Sequence, residues 1–291
     1  MLRLLNIEFH KLKYNRSSKI LSIIYFVLLT SIALIAAIKF DFGFFKFHLA
    51  EQGIFNFPYI WHFNTFMASI FKFFLLLVIV SMMANEYSNK TLKQNLIDGL
   101  SKKEFILSKF YTVIVFAAIS TFFVFSVSLI LGLIYSDYNE VSIIFTDLEY
   151  LLAFFIKLVG FFSFGLFMGI LIKRSAFAVG AILVWLFIEN IFKGFLFWTF
   201  NKETFESNVV NSDSLSPIGV NDIMQFLPME AMANLIKQPF TRLSAVQSAS
   251  KQLGANLSND FAVHWSQLLI VIVWSFIFIY LSYALLKKRD L

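Results

Sequence analysis

The chain has 291 residues, of which 59% are hydrophobic, 19% aromatic and only 14% charged. A water-soluble domain carries roughly 45–50% apolar residues, so composition excludes one. The absence of cysteine excludes disulfides, thiolate metal sites and thiol catalysis, while the formal net charge of +6 follows membrane topology and implies no nucleic-acid partner.

Six stretches are apolar for long enough to cross about 30 Å of hydrocarbon at about 1.5 Å per residue. They run Ile20–Ile38, Phe63–Ala84, Phe110–Tyr135, Leu148–Ile172, Ala176–Trp198 and Trp265–Leu286. The fold class expected is an all-α polytopic membrane protein forming a single transmembrane domain over 1–291.

Residues 1–19 precede the first span. Leu2, Leu5, Phe9 and Leu12 recur at helical spacing, with Arg3, Lys11 and Lys13 left for headgroups, which predicts an interfacial helix. The alternative is a basic flank that only sets topology. No small-residue cleavage site follows the first span, where Lys39, Phe40 and Asp41 stand, so it reads as retained. The segment FDFGFFKFHL comes next, then Phe55, Phe57, Tyr59 and Trp61. An aromatic belt at the headgroup boundary is the plainer reading, and an entrance surface for an amphiphile the sharper one.

Between the second and third spans lies a polar stretch, 85–109. Leu92, Leu96 and Leu100 share one helical face, with Lys90, Lys93, Gln94 and Asp98 pointing elsewhere. Gly99 stands where a left-handed cap would end that helix. Ser101 and Glu104 have the spacing of a capping box that starts the next. The pattern is a short amphipathic helix, a turn, and a helix entering the bilayer, which suits a lever pushed by a soluble partner.

The third and fourth spans are joined by a loop holding Asp137, Glu140 and Asp147, and the fourth and fifth by little more than Lys173, Arg174 and Ser175. Gly165 and Gly169 form a small-xxx-small pair suited to close helix packing. The last polar insertion, 199–264, contains the loop-like SDSLSP, then helical periodicity on both sides of Pro228, with Met229, Met232, Leu235 and Ile236 as an apolar edge. One or two short external helices are expected there. Basic residues concentrate at the two ends, in 90–109 and at Lys173–Arg174, so both termini and the lever are assigned to the cytoplasm.

Lys72, Lys157, Glu189 and Lys193 fall inside spans. Glu189 and Lys193 are four apart and can pair. An ion-pair network joining spans two, four and five is the favoured reading, against a hydrated vestibule or proton-coupled site. There is no GxxxxGK[ST] loop, so the chain has no P-loop of its own, and no HExxH or GxSxG motif. His48, His62 and His264 offer a conceivable but poor metal site. Asn256-Leu-Ser258 fits an N-glycosylation pattern that carries no weight without a eukaryotic secretory route.

The stretch NEYSNKTLKQNLIDGLSKKEFILSK resembles the cytosolic segment of ABC-2 type exporter permeases, and is similar above all to the bacitracin- and lantibiotic-type permeases. The residues that match are Glu86–Tyr87, Thr91–Leu92–Lys93, Leu96, Gly99–Leu100–Ser101–Lys102, Phe105 and Lys109. The starting IEFHKLKYNRS, the Leu-Pro segment FLPMEAMANLI and the terminal LLKKRDL also resemble that family. Lys102, where Arg is frequent, and the Phe-rich first loop depart from it. The resemblance implies a six-span subunit in a bacterial cytoplasmic membrane, dimerised with an identical or different permease copy and surrounded by lipid. It implies docking to a cytosolic ATP-binding-cassette ATPase that holds ATP and Mg, with no cofactor on this chain. Glu86, Tyr87, Thr91, Leu92, Lys93, Leu96, Asp98, Gly99, Ser101 and Lys102 would form the ATPase-coupling segment, and the cargo would be an amphiphilic peptide, antibiotic or lipid. Two other classes stay open: a structural membrane subunit of an envelope machine, and an integral membrane enzyme acting on lipid or glycan.

Overall fold

The computed structural model describes residues 2–37, 39–42, 45–48, 53–138, 140–206, 223–243, 246–248 and 260–289. In hydrocarbon a backbone can satisfy its polar groups only internally, so long apolar runs become helices. Helix α1 (Leu2–Tyr14) breaks at Asn15, whose Oδ1 accepts the Ser18 N–H at 3.2 Å and opens α2 (Arg16–Ala37). A small hairpin follows, β1 (Lys39–Phe42) pairing antiparallel with β2 (Phe45–His48), Lys39 opposite His48. The Phe-rich segment thus contains a two-stranded element in an otherwise all-helical fold.

The remaining elements are α3 (Tyr59–Ser88), α4 (Thr91–Ile97), α5 (Lys102–Tyr135), α6 (Val141–Ile144), α7 (Glu149–Ile172) and α8 (Ser175–Glu206). Then come α9 (Pro228–Asn234), a 3-10 turn (Phe240–Arg242) and α10 (Trp265–Lys288). Among the described residues, five stretches are long and apolar enough to cross a membrane: Tyr59–Ser88, Lys102–Tyr135, Val141–Ile172, Ser175–Thr199 and Trp265–Lys288. The chain is a polytopic membrane protein. Helix α2 stands where the first span is expected, its 22 residues rising about 33 Å. Helices α3 and α5 overrun the expected 63–84 and 110–135, so that they meet the polar stretch directly.

The hub is α7, which packs against α3, α5, α8 and α10. Its glycines permit that crowding: a Cβ at Gly165 would overlap Leu76 Cδ1, and one at Gly169 would lie 3.0 Å from Met83 Cβ. Helices α3 and α7 run parallel, since His62 stacks on Tyr150 near their starts, at 4.4 Å, while Gly165 meets Leu76 and Gly169 meets Met83 further on.

The end of α3, the start of α5, the α7–α8 turn and the end of α10 gather on one face, hereafter the near face. Arg289 joins three of them, donating from Nη1 to Tyr87 Oη at 3.1 Å and to the Ile170 carbonyl at 2.5 Å, and from Nη2 to the Leu171 carbonyl at 3.0 Å. Helix α9 lies toward the opposite, far face against α7 and α10, with Met229, Met232, Leu235 and Ile236 all buried. Pro228 begins it, where a missing N–H costs nothing. SDSLSP and Asn256–Ser258 lie outside the described residues.

Candidate functional site

The near face is built around one carboxylate. Glu86, in the last turn of α3, is 3% exposed. Its Oε1 accepts from Lys109 Nζ of α5 at 2.5 Å and from Lys11 Nζ of α1 at 2.8 Å. Lys109 is fully buried and also donates to Glu8 Oε2 at 2.5 Å, while Lys11 Nζ lies 3.6 Å from Glu8 Oε1. Two acids and two bases from three helices therefore close a neutral cluster. Removing charges from water is costly, and only mutual pairing with good hydrogen bonds offsets it. Burial works against protonation of Lys11, but Glu86 and Glu8 outweigh it and raise its pKa above the usual lysine value.

The same carboxylate holds the amphipathic helix. After α3 ends at Asn89, Lys90 takes a left-handed conformation (φ 56°) that turns the chain back. Thr91 Oγ1 then donates to Glu86 Oε2 at 2.5 Å and Asn95 Nδ2 at 3.4 Å. Leu92 is buried, Leu96 and Leu100 are half-buried, and Lys90, Lys93, Gln94, Ile97, Asp98 and Gly99 are exposed. Ile97 is 69% exposed, an unusual position for a bare aliphatic side chain facing away from the protein. Gln94 Nε2 donates to Asp98 Oδ1 at 3.0 Å, and Gly99 turns left-handed (φ 95°). Ser101 and Glu104 form a reciprocal capping box at the start of α5.

Two clefts flank α4. One of about 310 Å³ is lined by Lys11, Tyr14, Asn85, Glu86, Asn89 and Thr91. The other, about 530 Å³, lies between α1 and α4 and is lined by Arg3, Ile7, Glu8, Asn95, Asp98 and Glu104, among others. Elsewhere on the near face Lys102 Nζ donates to the Arg289 carbonyl at 2.9 Å, and Tyr87 lies under Arg289 and Lys173.

Two expectations about this face need correction. Glu86 is not a surface contact: its carboxylate is consumed by Lys109, Lys11, Thr91 and Asn95, so it positions α4. Lys11 is not free for headgroups, because Glu86 and Glu8 draw it inward. Sequence reasoning left Glu8, Lys11 and Lys109 out of the site. The available signal was a lone acid, Glu8, three residues before Lys11 in an otherwise basic segment.

The four charges expected to share one network separate into two places. Lys193 Nζ donates to Glu230 Oε2 of α9 at 2.7 Å. Glu189 accepts the Glu230 backbone N–H at 2.7 Å and Trp185 Nε1 at 3.1 Å. These residues therefore anchor α9 to α8. Lys72 and Lys157 lie apart, on α3 and α7. His62 is committed to the Tyr150 stack, its Nε2 2.7 Å from the Lys237 carbonyl, while His264 pairs with Asp260. No group of three or more potential ligands suited to a metal ion occurs among the described residues. The side chain of His48 lies outside them.

A family model described as ABC-2 family transporter protein matches residues 3–291. No curated protein matches the chain significantly.

Proposed function

The chain belongs to the ABC-2 transporter family, a family of membrane permeases, and on that premise we propose that it couples ATP hydrolysis by a separate ATP-binding-cassette ATPase to export of an amphiphilic substrate. ATP and Mg belong to the partner, since this chain has no phosphate loop. Helix α4 is the coupling element, and Lys93, Gln94, Ile97 and Asp98 are the side chains offered to the ATPase. The observation that carries this reading is the suspension of α4 from Glu86. A push on its exposed face passes through one buried carboxylate to α1, α3 and α5 together, and interlocked charges transmit displacement without slack.

The basic near face supports a cytoplasmic assignment, with α2 as the sixth span and both termini inside. Helix α8 exposes Leu183, Phe187, Ile191 and Phe195, an apolar surface suited to lipid or to a second permease copy. Tagged chain purified from its native membranes in mild detergent tests the proposal. An ATP-binding-cassette ATPase is expected to accompany it, and its hydrolysis rate is expected to change when Ile97→Asp replaces the wild type. Purification without any nucleotide-hydrolysing partner would favour the envelope-subunit reading instead.

A further inference from the structure

Every other buried charge described above has a partner: Lys109 has Glu86 and Glu8, and Glu189 has backbone and indole N–H groups. Half-buried Lys193 has Glu230 as well. Lys157 breaks the pattern. It is 3% exposed, and among the described residues no carboxylate or hydrogen-bond acceptor pairs with it. The nearest charge across the α3–α7 seam has the same sign. Lys72 Nζ lies 4.5 Å from the Phe161 ring centroid, one helical turn beyond Lys157 on the same face of α7.

The level of this pair follows from the parallel register. Counted from the His62–Tyr150 stack, Lys157 lies about 10 Å and Lys72 about 15 Å further along their helices. Both are thus within a slab of about 30 Å of hydrocarbon, where an unpaired ion costs several kcal/mol and marks a site whose partner is to be sought. Lys72 is half-buried, and the neighbouring Ile70 and Phe73 on α3 are exposed, so the seam opens sideways onto the bilayer.

We propose that Lys72 and Lys157 form a binding site for the anionic headgroup, phosphate or carboxylate, of an amphiphile that enters between α3 and α7 from the membrane. The headgroup supplies the missing countercharge for both ammonium groups. Its acyl chain runs along the apolar side of α3 past Ile70 and Phe73. Cation–π contact with Phe161 holds Lys72 over the seam while the site is empty. Binding here needs no ATPase, so it stands or falls separately from the coupling assignment.

The full chain in nanodiscs is photolabelled with phosphatidylglycerol carrying a diazirine in its acyl chain, and with phosphatidylcholine of the same chains. Labelled peptides from α3 and α7 are quantified. Phosphatidylglycerol is expected to label the seam roughly thirtyfold more than phosphatidylcholine, from two lysine contacts to one anion. Lys157→Glu pairs with Lys72 internally, so it is expected to keep or raise thermal stability while labelling falls to the phosphatidylcholine level. Excess oleate is expected to displace the label and excess inorganic phosphate is not. Equal labelling by the two lipids, or full labelling of a folded Lys157→Glu chain, overturns the site. Displacement by inorganic phosphate overturns the membrane source. If Lys157→Glu fails to fold, Lys72→Gln reads the same loss.

Discussion

Replacing Lys109 by Met isolates what the buried cluster does. Methionine keeps the length and most of the volume of the lysine stem, so packing against Phe105 is retained and only the ammonium is lost. Glu8 then loses its 2.5 Å partner, and Glu86 keeps Lys11 at 2.8 Å and its Thr91 and Asn95 donors. Two carboxylates, each no more than 4% exposed at the side chain, share one half-exposed lysine. Removing one partner from a buried ion cluster costs about 3–5 kcal/mol, because the charge left behind is uncompensated. The second substitution decides the cause. Glu8→Gln in the Lys109→Met background removes the orphaned charge, and the pair is expected to recover about 2 kcal/mol relative to additivity. Unfolding by SDS titration in mixed micelles, followed by tryptophan fluorescence, gives both numbers. Loss below about 0.5 kcal/mol for Lys109→Met, or strict additivity, would refute the claim that this cluster holds α1, α3, α4 and α5 together.

On the exposed face of α4 the expectation is the reverse: Ile97→Asp leaves stability within about 0.5 kcal/mol of wild type while weakening ATPase co-purification, measured by quantitative pull-down. Glycine substitutions separate packing from exposure. Gly132→Ala drives a methyl into the buried Phe57 ring and is expected to cost about 1–3 kcal/mol, whereas Gly180→Ala meets nothing within 4 Å and should be neutral or slightly stabilising in the same titration. At the far face, Glu189→Gln keeps an acceptor for the Glu230 N–H, but Glu189→Ala does not. Limited proteolysis is expected to cut near α9 faster only in the alanine variant, with a stability loss of about 1 kcal/mol.

What the sequence showed and what it hid divide along a physical line. Apolar length alone located the helices, because hydrocarbon thickness sets a minimum run. Local backbone chemistry was equally readable: the left-handed Gly99, the Ser101–Glu104 box, and the buried edge of Met229, Met232, Leu235 and Ile236 all depend on near neighbours. The charge cluster was not readable, because Glu8 and Lys109 are 101 positions apart and Lys11 and Glu86 are 75 apart. Which side of a membrane helix faces its neighbours depends on packing that uniformly apolar spans do not encode. Glu189 stands four residues from Lys193 as expected, but its hydrogen bonds were hidden: one goes to the α9 backbone 41 positions away, the other to an uncharged indole N–H of Trp185. Arg289, which bonds Tyr87 and the end of α7, looked like a topology signal only.

The central claim is that an ATPase engages the exposed face of α4 and that nucleotide changes this contact. Because the chain has no cysteine, Ile97→Cys creates a unique thiol on that face. Its cross-linking to the co-purified ATPase, with and without ATP, is the most direct measurement. A cross-link at position 97 whose yield shifts with ATP is expected, and none from Tyr280→Cys in the apolar span. An ATPase that co-purifies yet never cross-links to position 97 would contradict it.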